Sequence, residues 1–201
     1  MVEKMIIWLV GAMIHEQIIE NEEKEEYMYS LTVLVEGFIT IGSIMILSIV
    51  WKNSISTAGF LLFFLTLRKR TGGYHAPTFQ QCYFMTLATY CLVVYLCQNF
   101  TFWQEYHWLG VVVSSIIILI IGTVNHPNVQ MSQFELENAK ESARCMLMLE
   151  VGILFFLKWM QANSVTVTYL STAITLCGTL LCLAKLIGQE VKINESEESC
   201  S

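Results

Sequence analysis

The sequence predicts an all-α membrane protein, with about six transmembrane helices preceded by an amphipathic helix lying at the interface. Three observations predict it. Of 201 residues, 55% are hydrophobic and 14% are charged, about half the charge of an average soluble domain. The apolar residues gather in runs approaching the roughly 20 residues that cross a bilayer, and the chain holds only two prolines. Lys and Arg are also distributed unequally. A six-span path puts Lys4, Lys24, Arg68, Lys69, Arg70, Lys140, Arg144, Lys185 and Lys192 on one side, and Lys52 and Lys158 on the other. Cytoplasmic flanks carry the excess of basic residues, so both termini and the segment between spans two and three are expected in the cytoplasm of a cell membrane protein.

The length suits a single domain, read as a polar N-terminus over 1–30, a six-span core over 31–187 and an acidic tail over 188–201 too polar to pack. The net charge of −6 is concentrated in residues 20–26 and 195–198, which makes it a property of solvated ends and gives no reason to expect a nucleic acid partner. No C-x-x-C pair occurs among the seven cysteines, so no metal or other cofactor is expected. Cys91, Cys97, Cys177 and Cys182 fall inside apolar runs and read as packing residues. The first apolar stretch has no small-residue cleavage pattern and reads as retained.

In order, residues 1–19 are broken by Glu3, Lys4, His15 and Glu16, while Met5, Ile6, Trp8, Leu9, Met13 and Ile14 give an apolar face, the pattern of an interfacial helix. His15 falls on its polar face, and residues 21–27 continue as a solvated linker. Span one is 31–51 and contains Glu36. Span two, 54–67, is short and abuts Arg68-Lys69-Arg70. Span three is 78–100. Span four is 108–124, with Trp103, Tyr106 and Trp108 as an aromatic belt before it. A second polar excursion, 125–144, opens with a His126-Pro127 turn and holds a short surface helix. Span five, 145–160, contains Glu150. Span six, 165–187, is rich in Thr, Ser and Gly that permit close helix contact and offer a possible subunit interface.

Residues 68–82, RKRTGGYHAPTFQQC, concentrate the unusual chemistry. Gly72-Gly73 signals a turn, and Pro77 disfavours α geometry at Ala76. Thr78-Phe-Gln-Gln81 then fits a capping box, with Thr78 as N-cap and Gln81 at the third helical position. That starts a helix and sets Cys82 near its first turn, where the helix dipole and the upstream cations favour thiolate. His75, on the connecting loop, is free to fold back over the helix start. A Cys82–His75 pair so placed is a nucleophile with its base. On spacing alone two readings stand: this pair, or a small packing thiol and a polar anchor at an interface.

R-T-G-G-Y-H-A with a cysteine seven residues after the histidine resembles the accessory gene regulator B family of membrane-embedded quorum-sensing cysteine peptidases, and the resemblance runs along essentially the whole chain. It implies a cysteine endopeptidase that cuts the C-terminal part of a short AgrD-like precursor peptide. His75 matches the family's base and Cys82 its nucleophile; Arg70, Gly72 and Gly73 match its loop signature. It implies transfer of the Cys82 thioester to a cysteine within the peptide, giving a cyclic thiolactone, and a homodimeric enzyme. Relatives often carry lysines in the later loop where Val129 and Gln130 stand here, a departure that removes basic side chains from any precursor contact there. Two rival readings remain: a small multi-span transporter or channel subunit using Glu36 and Glu150 as intramembrane carriers, and a membrane scaffold whose Cys and Gly-rich helices only pack.

Overall fold

The computed structural model describes residues 2–16, 24–72, 79–124 and 133–188. They form seven helices: α1 (Val2–His15), α2 (Lys24–Val50), α3 (Ser54–Thr71), α4 (Phe79–Asn99), α5 (Thr101–Ile121), α6 (Gln133–Trp159) and α7 (Ser164–Leu186), with no strand among the described residues. The all-helical expectation holds. The six predicted spans all coincide with helices, but only three, over Ser30–Val50, Thr101–Ile121 and Ser164–Leu186, are long and apolar enough to cross a membrane by composition. The other three are diluted by polar residues. α3 ends in Arg68-Lys69-Arg70, α4 opens and closes on glutamines and an asparagine, and the first half of α6 carries Glu135, Glu137, Lys140, Glu141 and Arg144.

Several boundaries move. Helix α2 begins at Lys24, so the second half of the expected linker is helical. Helix α5 begins at Thr101, seven residues before the predicted start, and takes the aromatic belt into its first turns; Phe100 alone links it to α4. The expected surface helix within 125–144 is the opening of α6, which runs without a break from Gln133 to Trp159. No glycine or proline interrupts residues 133–151, and Glu, Leu, Ala, Lys and Met all favour helix.

Helix α7 is the centre. Two thirds of its apolar window, 67%, is buried, against 11% for α2. It packs most extensively on α5 and α3, and both run parallel to it: Asn53 donates to the Tyr169 hydroxyl at one end of α3, and Cys177 lies 3.6 Å from the Phe64 carbonyl further along. The small residues set the α5–α7 spacing. A Cβ on Gly178 would lie 2.5 Å from that of Ser114, and one on Gly110 would lie 2.9 Å from Thr175 Oγ1. Ser114 also donates to the Thr175 carbonyl, and Trp103 Nε1 to Thr172 Oγ1 at 2.8 Å. Much of the small-residue stretch of α7 is thus taken up inside the chain, where the close approach of α5 requires it.

Helix α6 runs antiparallel to α3, and α4 antiparallel to α7. The ends of α3, α5 and α7 and the beginnings of α4 and α6 therefore gather at one end of the bundle. The α2–α3, α4–α5 and α6–α7 turns gather at the other. Helix α1 lies against the first half of α2 through Ile6 and Val10, while Trp8 on its other side is 72% exposed. The large apolar side chains that point outward, such as Phe38, Ile46, Ile55 and Ile120, form a surface suited to lipid rather than water.

Candidate active site

Helix α4 begins at Phe79, and Cys82 is its fourth residue, as the capping-box pattern predicts. Cys82 is exposed, as is Gln81. Thr78, His75 and Gly73 lie outside the described residues, as do His126, Val129 and Gln130; of His15 the helical backbone alone is described. The reading of the His75–Cys82 pair thus rests on the placement of its two anchors, the end of α3 and the beginning of α4.

The α3 anchor is built by its own cations. Arg68 reaches forward one turn and donates to the Gly72 carbonyl, closing the helix end where backbone acceptors have no helical partner. Thr71 passes its carbonyl to the Val124 amide at 3.3 Å, which ties the end of α3 to the end of α5. Gly72 leaves the helix at φ +66°, ψ −142°, a backbone region open essentially only to glycine, and a Cβ there would meet the Val124 carbonyl at 3.3 Å. Its place in the loop signature thus has a backbone cause: it turns the chain out of α3.

Arg70 points to α6, donating from Nε to Ser142 Oγ at 2.9 Å, and also donates to the Thr66 carbonyl. Arg68 points inward. Its side chain is half-buried.

The remaining thiols divide by position. Among the described residues all cysteines are free, and Cys97 and Cys177 are buried; these two are packing residues as expected. Cys182 is half-buried. Cys91 is exposed, which corrects the packing assignment: it shares with Leu92 and Tyr95 an outward face of α4. Cys145, also exposed, lies on α6 one residue after Arg144, away from any helix start.

Glu36 and Glu150, the acids of the transporter reading, have different surroundings. Glu36 is half-exposed on α2. Glu150 is 1% exposed and accepts from Thr66 Oγ1 at 2.9 Å, with its second oxygen unpartnered. Among the described residues no group of three or more His, Cys, Asp or Glu is placed to hold a metal ion.

The family model for Accessory gene regulator B matches residues 4–187, from the first turn of α1 to the end of α7. The chain belongs to the accessory gene regulator B family. No curated protein and no solved structure matches it. Membership links this chain to quorum-sensing peptide processing within a peptidase-type family, and with the apolar helices it makes the chain a membrane protein. The match spans the end of α3, the Gly72-Gly73 pair and the start of α4, so the segment that carries the resemblance lies between two helices that the structure describes. Sequence reasoning used Arg68 only as one of three nearby charges. Its role at the Gly72 carbonyl depends on an i, i+4 reach past a helix end, legible only once the helix is known to stop at Thr71.

Proposed function

We propose that this chain is a membrane cysteine endopeptidase that cleaves the C-terminal part of a short precursor peptide and yields a cyclic thiolactone signal. The observation that carries the reading is Cys82: an exposed thiol at the fourth residue of α4, in a chain of this family. His75, three residues after Gly72, takes the thiol proton as Cys82 Sγ attacks the scissile carbonyl. The C–N bond then breaks, and His75 returns that proton to the leaving amine. The product is an acyl-enzyme thioester. A cysteine thiol within the bound peptide attacks it, forming the peptide thiolactone and releasing Cys82. One thioester replaces another, so the bond energies nearly cancel and positioning decides between peptide thiol and water.

The same reading makes all of α2–α7 membrane crossings, with both termini and the active-site end of the bundle cytoplasmic. The alternating helix directions and the nine-to-two distribution of Lys and Arg support it. The chain works as a homodimer in this reading. The transporter reading is weaker, since Glu150 is held in a fixed contact with Thr66 while Glu36 belongs to a separate helix.

The test uses purified enzyme in nanodiscs and a precursor whose internal cysteine is changed to alanine. Without that thiol only water can resolve the thioester, so intact-mass analysis should show an adduct of enzyme plus the retained peptide segment. Hydroxylamine should remove it, and His75→Ala should suppress its formation. Efficient cyclic product from Cys82→Ala enzyme with the unmodified precursor would overturn the reading.

A further inference from the structure

Glu150 lies two turns along α6 from Ser142, since eight residues rise about 12 Å in a helix, and it faces the end of α3. Its carboxylate is 1% exposed. One oxygen accepts from Thr66 Oγ1 at 2.9 Å and the other has no hydrogen-bond partner. Arg70 in turn donates to the Thr66 carbonyl at 3.0 Å and to Ser142. Thr66 and Arg70 thus grip one face of α6 at two levels, and Arg68, in the turn between them, closes the helix at Gly72. A buried carboxylate costs several kcal/mol unless its setting repays it, and a threonine hydroxyl alone is meagre repayment.

We propose that Glu150 is a positioning residue for the peptidase reaction: through Thr66, whose carbonyl also holds Arg70, it fixes the last turn of α3, the anchor from which the chain continues to α4 and Cys82. The proposal rests on the peptidase reading above. It gives the buried acid a task in the reaction without making it a proton carrier, and it places that task at the α3–α6 contact. Glu150 touches no substrate in this scheme. Its effect belongs to the chemical step, because the precursor's binding energy comes from other contacts, whereas the placement of the α3 end relative to Cys82 enters the transition state.

Two rates are read on the full-length protein in nanodiscs: precursor cleavage, separated into kcat and KM, and carboxymethylation of Cys82 by iodoacetate, followed by peptide mass mapping. Thr66→Val keeps the side-chain shape and removes only the hydroxyl. It should lower kcat by about tenfold to a hundredfold, the scale on which small misplacements act, leave KM within about twofold, and slow carboxymethylation severalfold. Thr66→Ser should restore both rates. Glu150→Gln keeps an acceptor for Thr66 and alters the rest of the carboxyl group, so its kcat should fall between those of wild type and Thr66→Val. Combining Thr66→Val with Glu150→Gln should cost little more than Thr66→Val alone, since the two act as one unit. Wild-type kcat and carboxymethylation in both Thr66→Val and Glu150→Gln would overturn the proposal, as would a Thr66→Ser enzyme no better than Thr66→Val. Cys82→Ala is measured alongside: cleavage that survives it refutes the peptidase reading, whereas cleavage lost there but intact in the Thr66 and Glu150 variants refutes only the role of Glu150. Carboxymethylation needs no substrate, so the α3–Cys82 link is decided whether or not the variants cleave.

Discussion

Gly178→Ala is the sharpest perturbation of the helix arrangement. The added Cβ would lie 2.5 Å from Ser114 Cβ, 2.7 Å from its Oγ and 2.8 Å from its Cα. Comfortable carbon–carbon contact is about 3.5–4.0 Å, so the overlap is roughly 1 Å deep. One of the three atoms is backbone, which no rotamer change relieves. Helices α5 and α7 must therefore separate locally. Overpacking of this kind costs about 1–3 kcal/mol. The same movement strains Trp103 Nε1 to Thr172 and Ser114 Oγ to the Thr175 carbonyl, each worth about 0.6 kcal/mol between membrane helices. The total is about 1–4 kcal/mol. Gly152→Ala is the matched control, since a Cβ there meets nothing within 4 Å; it should be neutral or gain up to about 1 kcal/mol from helix propensity. The assay is unfolding by SDS titration from mild detergent, read by tryptophan fluorescence because Trp103 lies on the seam. Ser114→Gly in the Gly178→Ala background removes two of the three contacts and should recover part of the loss. If Gly178→Ala unfolds with the free energy of wild type, or changes only the oligomeric state, the seam between α5 and α7 is not where the small residues act.

Gly72→Ala should destabilise by about 1–3 kcal/mol through its positive φ and lower cleavage further than its loss of stability explains, measured by thermal unfolding beside kcat. Cys82 should be the only cysteine required for processing: Cys82→Ser should abolish precursor cleavage, while Cys91→Ala, on the outward face of α4, should leave cleavage and stability within error. Cys97→Ala and Cys177→Ala, both at buried positions, should lose about 1 kcal/mol or more through the voids left while retaining kcat. For topology, single cysteines introduced at Asn99 and Gln161 in intact cells should react with an impermeant maleimide and one at Lys69 should not; a reactive Lys69 site would invert the proposed orientation.

The sequence by itself determined the kind of each element and the local setting of the nucleophile. Apolar runs of nearly bilayer length can only be helices, because every backbone amide must be satisfied within the segment. The Thr78–Gln81 pattern located the start of α4 and so the rank of Cys82 within it, since capping is a matter of residues adjacent in the chain. Membership of the family was legible in the Gly-Gly and His-Cys spacing for the same reason. Helix boundaries were less legible: residues 101–107 and 133–144 are polar, and polarity distinguishes lipid from water, not helix from loop. Tertiary structure alone decided which faces meet. A helix apolar on all sides carries little directional signal, and lipid competes with protein for the same side chains, so nothing in the pattern of α7 announced that it would sit at the centre with Gly178 against Ser114. The surroundings of Glu150 were equally hidden. Its carboxylate stood out in an apolar run, but Thr66 lies 84 positions away in the chain, and only the antiparallel packing of α6 on α3 brings that hydroxyl within reach.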